Sequence, residues 1–220
     1  MANLEQAPVR LWSDFDGTAV KHYPMRNARN WGKYPLPLMP GYIEFLRGFV
    51  DAGGEIGGII TARASWRKMV TARSLRKLEL LEHFAGHPGT THHLGSDRLK
   101  ASFMVLKAAT AEPAESLIDD KPEKVGVEIA RVMSRDDNNA VVTLGVVPGA
   151  KQQSRISDFG DVMSETAESM SFTNGSGTVE TVQANFGNST LHVVALSEYS
   201  YQGGQEFHQV VLKNKVSNLS

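Results

Sequence analysis

Residues 11–20 read LWSDFDGTAV, so Asp14 and Asp16 stand one residue apart where an apolar run gives way to Gly17. On an extended chain alternate side chains share a face, so two carboxylates at this spacing address one point from different angles. Further on, GGIIT ends an apolar run on Thr61, and AESLIDD ends another on Asp119 and Asp120. Carboxylates gathered at one place repel each other unless a cation sits among them. Oxygen ligands with no His or Cys in the set favour Mg²⁺, which keeps several waters and takes one or two protein carboxylates plus a phosphate.

These residues meet only if the elements bearing them run the same way. VRLWSDFD reads as a buried strand, GYIEFLRGFVDAG as a helix, EIGGIIT as the next strand and SWRKMVTARSLRKLELL as a helix. THHLG is a short strand and DRLKASFMVLKAA a helix. AESLIDD is a strand, PEKVGVEIARVM a helix with Pro122 at its first position, and AVVTLGVV a strand. Strands alternating with helices predict right-handed crossovers and an α/β fold, Rossmann-like, with a doubly wound, mostly parallel sheet. Ligands of such sheets bind beyond the carboxyl ends of the strands, where Asp14, Asp16, Thr61, Asp119 and Asp120 all fall. This catalytic α/β domain is expected over 1–150. The polar stretch 151–177 reads as a linker or long loop, and 178–220 as a small C-terminal β-rich extension whose last two runs flank QGGQ in hairpin fashion.

DFDGT, then IITAR, a lysine at a helix start and IDDKPEKV, in that order, resemble the four-motif pattern of the haloacid dehalogenase (HAD) superfamily of aspartyl-nucleophile phosphohydrolases. The resemblance covers about residues 9–147 and implies a phosphomonoester hydrolase with Mg²⁺ as cofactor. It makes Asp14 the nucleophile that forms an aspartyl-phosphate. Asp16 becomes the acid that protonates the leaving oxygen and the base that then deprotonates water, with its carbonyl helping to hold the metal. Gly17 lets the backbone turn away without a Cβ, and Thr18 completes the motif. Thr61, with backbone N–H groups nearby at Ala62 and Arg63, binds the phosphoryl oxygens. Lys100, 19 residues before Asp119, best matches the motif lysine, and Lys107 is the competing choice. Asp14, Asp16, Asp119 and Asp120 form the implied metal set, Asp120 either as a ligand or as a group orienting a metal-bound water.

Taken singly, each motif has a plainer reading: Asp-x-Asp-Gly as a turn, Thr61 as a helix cap, Lys100 as a solvated lysine. Their order and shared position at strand ends favour the site. The segment between Val20 and Pro40 is too short for a separate cap domain, which implies an open site with a minimal cap, suited to a phosphorylated small molecule or macromolecule. Arg63 and Arg67, with the basic and aromatic residues between Lys21 and Lys33, are candidates for an anionic substrate rim. A second class of function, a non-catalytic phosphate-binding or scaffold protein, fits the same crevice. Phosphomutase or dehalogenase chemistry fits less well, since dehalogenation has no use for the acid at Asp16.

Composition narrows the classes further. A net charge of −1 with 21% charged residues points to neither nucleic acid nor an anionic membrane, and no run is long enough to span a bilayer. The absence of cysteine removes disulfides and thiolate metal sites. MANLEQAPVR shows no leader pattern, so a cytoplasmic location is expected. His92 and His93 are neighbours on a short strand and face opposite ways, which disfavours a shared metal. The glycines of GGEIGG match no dinucleotide fingerprint. The C-terminal β segment is a candidate for self-association into a homo-oligomer.

Overall fold

The computed structural model describes residues 8–21, 37–63, 65, 68–77, 91–110, 113–135, 139–148, 152–175 and 178–217. The described strands are β1 (Val9–Ser13), β2 (Gly54–Thr61), β3 (Thr91–His93), β4 (Ala114–Asp119), β5 (Val141–Val146), β6 (Ser169–Gly175), β7 (Thr178–Phe186) and β8 (Ser189–Ala195). The described helices are α1 (Tyr42–Asp51), α2 (Lys68–Lys77), α3 (Asp97–Ala108), α4 (Pro122–Met133), α5 (Gln152–Met163) and α6 (Tyr201–Ser217).

All eight strands join one sheet in the order β3-β2-β1-β4-β5-β8-β7-β6. From β3 to β8 every neighbouring pair is parallel, and β8, β7 and β6 continue as antiparallel neighbours. The mostly parallel α/β sheet expected from the alternating runs is therefore present. The chain winds from β1 through β2 to β3 on one side, then returns to place β4 and β5 on the other. The order reverses between β1 and β4, the position where ligands of open α/β sheets bind.

Strand alternation sorts the core into two layers. Leu11, Ile59 and Ile118 turn toward α1 and α6, joining Phe45, Phe49, Phe207 and Val211. Trp12, Ile60 and Leu117, each adjacent in the chain to one of these, turn to the opposite face and meet residues of α3, α4 and α5, such as Met104, Ile129 and Phe159. Burying apolar side chains on both sides is what makes β4 and β5 near-continuous apolar runs. No helix among the described residues is long and apolar enough to cross a membrane.

The C-terminal third departs from the expectation in two places. The polar stretch at 151–177 holds α5 and β6 in place of a linker or long loop. Only Ile156, Phe159 and Met163 of α5 are buried hydrophobics, and three apolar contacts among polar neighbours suffice to seat the helix. EFHQVVLKNKV lies in α6 and is not a strand, and the glycines of QGGQ fall inside that helix. Phe207, Val211 and Lys215 recur every four residues on its buried face, a helical period. The β-rich part comprises β6, β7 and β8, which extend the main sheet, with the turn at Gly187 and Asn188.

Candidate functional site

The pairing of β1 with β4 runs one residue past the end of β1, for the Asp14 N–H donates to the Ile118 carbonyl at 2.9 Å. That bond pins Asp14 at the reversal of strand order. Immediately after it the chain folds back, with Gly17 N–H donating to the Val20 carbonyl at 2.8 Å and Ala19 and Val20 donating to the Phe15 carbonyl. Gly17 turns there at φ 83°, in the left-handed region. A Cβ on it would stand 2.5 Å from Asp120 Oδ2, so glycine is required by conformation and by space alike.

The lysine comes from α3. Ser96 caps that helix by accepting from the Leu99 N–H at 3.2 Å, and Lys100 follows on the inner face. Its ammonium is buried and bridges two acids, 2.9 Å from Asp14 Oδ1 and 2.5 Å from Asp119 Oδ2. Asp119 ends β4, and its other oxygen accepts from the Lys121 N–H at 2.8 Å. Asp120 is partly buried: its Oδ1 lies 3.5 Å from Lys121 Nζ and takes no hydrogen bond among the described residues. One oxygen each from Asp14, Asp119 and Asp120 lie within 4.8 Å of one another.

Burial raises the Asp14 carboxyl from its ordinary 3.8 to about 7, with Lys100 opposing and Asp119 adding to the rise. Burial likewise raises Asp120, reinforced by Asp119. Burial alone would lower Lys100, but Asp119 and Asp14 hold it above its ordinary value. Three carboxylates thus meet two ammoniums, Lys100 and Lys121, and the excess of acid groups is the electrostatic condition for taking up a further cation.

Asp16 behaves differently. Both its oxygens accept from Arg63, from Nε and from the second terminal nitrogen, each at 2.5 Å. Arg63 is held in turn by Thr71 Oγ1 at 3.1 Å and lies 4.7 Å over the Phe15 ring. Thr61 Oγ1 accepts from the Arg63 N–H at 3.3 Å. Asp16, Thr61 and Arg63 line a cavity of about 200 Å³ together with Asp14, Ala62, Asp97, Lys100, Asp119 and Lys121. Two larger depressions, lined by Met133–Arg135 with Phe186 and by Gln209–Ser217, gather no comparable cluster of ionisable groups.

The structure thus brings Asp14, Asp16, Thr61, Ala62, Arg63, Lys100 and Asp119 to one crevice, with Asp120 beside it. The Asp16 carboxylate stands apart from the acidic cluster, on Arg63. Thr18 is buried behind the turn, its hydroxyl without a hydrogen-bond partner among the described residues. Lys107 lies 5.6 Å over the Phe103 ring, away from the carboxylates, so of the two lysines Lys100 is the one that reaches them. Arg67 and residues 22–36 lie outside the described residues. His92 packs on Trp12 and Phe103, at 5.7 and 4.9 Å between ring centroids. Sequence reasoning missed Asp97 and Lys121. Asp97 stands three residues before Lys100, a spacing that shares a helix face, and Lys121 directly follows the two aspartates. Comparison with protein-family models, with curated proteins and with solved structures finds no match to this chain.

Proposed function

We propose that the chain is a Mg²⁺-dependent phosphomonoester hydrolase of the haloacid dehalogenase kind, built on a Rossmann-like core, with Asp14 as nucleophile. The observation that carries the reading is the buried Lys100 ammonium joining Asp14 to Asp119 at the switch point of the sheet. The residues fit a hard cation: three carboxylates converge within 4.8 Å, and Asp120 keeps a buried oxygen without a hydrogen bond. Asp14, Asp119 and Asp120 would hold the ion. When bound, it supplies positive charge against the phosphoryl oxygens and against Asp14.

The chain's own groups do the rest. Lys100 orients Asp14 through one oxygen, leaving the other to attack phosphorus and form an aspartyl-phosphate as the leaving alkoxide departs. The Thr61 hydroxyl, at the end of β2, donates to a phosphoryl oxygen. Asp16 delivers the proton to the leaving oxygen and takes one from the water that cleaves the aspartyl-phosphate. For this, one of its two hydrogen bonds to Arg63 must open, and an entering phosphate is a competing anion for that guanidinium.

The same clamp favours a second reading, a phosphate-binding protein without turnover, since it occupies both oxygens of the acid. One experiment separates the two. Phosphate release from an aryl phosphate with Mg²⁺, abolished by chelation and by Asp14→Asn, supports the hydrolase. Binding of phosphate without release from any phosphomonoester supports the second, and activity that survives both chelation and Asp14→Asn refutes the first.

A further inference from the structure

The cavity wall beyond the reacting groups has an unbalanced chemistry. Each of its cations is engaged: Lys100 on Asp14 and Asp119, Arg63 on Asp16, and Lys121 on Asp120. Asp97, in the first turn of α3, lines the same cavity, and its carboxylate forms no hydrogen bond or ion pair among the described residues. It lies three residues before Lys100 and so on the same side of the helix. It belongs to none of the four motifs and takes no part in holding the ion or in attack at phosphorus.

Resting on the hydrolase reading, we infer that Asp97 selects the leaving group: the substrate is a phosphomonoester of an alcohol bearing a hydrogen-bond donor, a hydroxyl or an ammonium, close to the ester oxygen. A donor of either kind satisfies the carboxylate and is strengthened by its charge. A leaving group with its own carboxylate or phosphate would meet Asp97 with no cation free among the described residues to offset the repulsion. A plain alkyl leaving group would desolvate Asp97 and give nothing in return. The choice therefore falls on neutral or cationic, donor-bearing alcohols.

The test compares kcat/KM for four substrates on the full chain with Mg²⁺: n-propyl phosphate with no donor, glycerol 3-phosphate with hydroxyls, phosphoethanolamine with an ammonium, and phosphoglycolate with a carboxylate. Asp97 is partly exposed, so the preference for a donor-bearing substrate over n-propyl phosphate is expected at about tenfold, the low end for a charge-assisted bond. Phosphoglycolate should fall below n-propyl phosphate. The glycerol and ethanolamine arms show whether the donor is hydroxyl or ammonium. In Asp97→Asn the ratio for the ammonium substrate should collapse toward one, and in Asp97→Lys phosphoglycolate should overtake phosphoethanolamine. Equal rates on all four substrates, or ratios unmoved by either substitution, overturn the inference while leaving the hydrolase reading intact. An effect confined to the helix terminus would lower Tm and leave the ratios alone, which also overturns it. Failure to release phosphate from any substrate refutes the hydrolase reading itself and this inference with it.

Discussion

Asp14 should make the cation-free protein less stable as pH rises, and Asp14→Asn should abolish that loss. Burial lifts the Asp14 carboxyl from 3.8 to about 7, so between those values the folded chain holds a proton that the unfolded chain has released. The stability this gives is complete below pH 3.8 and is lost as pH rises through about 7. At about 1.4 kcal/mol per pH unit, the difference amounts to about 4 kcal/mol at its limit. Asparagine has the same shape and no charge to bury, and Lys100 keeps its bond to Asp119. Urea unfolding in chelator between pH 5 and 8.5 should therefore show the variant gaining on the wild type by about 1.4 kcal/mol per pH unit and levelling off above pH 7. Adding Mg²⁺ at pH 8 should restore the wild type, by about 2.7 kcal/mol at a hundred times its Kd, and do little for the variant. A difference that stays flat with pH, or a variant less stable than the wild type at pH 8, would refute the account of a buried carboxylate waiting for a cation.

Gly17→Ala puts a Cβ 2.5 Å from Asp120 Oδ2 at a φ of 83°. It should cost about 1–2 kcal/mol in stability and raise the Mg²⁺ concentration for half activity by about tenfold or more, read from urea curves and a Mg²⁺ titration. Lys100→Gln leaves Asp14 and Asp119 facing each other with no ammonium between them. It should destabilise by about 3–5 kcal/mol, more at pH 8 than at pH 6 because Asp14, raised to about 7, is then charged, as the same unfolding curves at the two pH values would show. His192 is buried, and burial lowers it from 6.5 to about 4. It gives stability that is whole above pH 6.5 and is lost as pH falls toward 4, about 3 kcal/mol at most. His192→Leu should remove that acid-side loss in urea midpoints measured from pH 7 to pH 4.

Much of the sheet was legible because buried parallel strands announce themselves as apolar runs with short polar stops. β1, β4 and β5 lie within the runs that VRLWSDFD, AESLIDD and AVVTLGVV mark out, and β2 starts one residue before EIGGIIT and ends with it. The gathering of Asp14, Thr61 and Asp119 followed from parallel direction alone, since each closes its run. Side-chain pairing was not legible. Arg63 and Asp16 are 47 residues apart, and nothing in their spacing says that a guanidinium will take both oxygens of that acid while Lys100 takes Asp14. α5 was hidden by its sparse apolar face, and α6 by two glycines that read as a turn.

Those glycines explain what α6 does for the site. A Cβ on Gly204 would overlap the Phe45 carbonyl, and one on Gly48 would overlap the Tyr201 carbonyl, so small residues let α6 and α1 touch backbone to backbone. The contact buries Phe45 and Phe49 against Phe207, at 6.0 and 6.3 Å between centroids, and seats the first residue of α1, Tyr42, beneath β1. There the Tyr42 hydroxyl donates to Ser13 Oγ at 2.8 Å, and Ser13 Oγ donates to the Asp14 carbonyl at 2.7 Å. The backbone of Asp14 is thus held from both sides, its N–H by β4 and its carbonyl through Ser13 by α1. A larger residue at Gly204 would push α6 from α1 and loosen that second hold. The helix that looked least like part of the α/β domain is the element that fixes the depth of its central carboxylate.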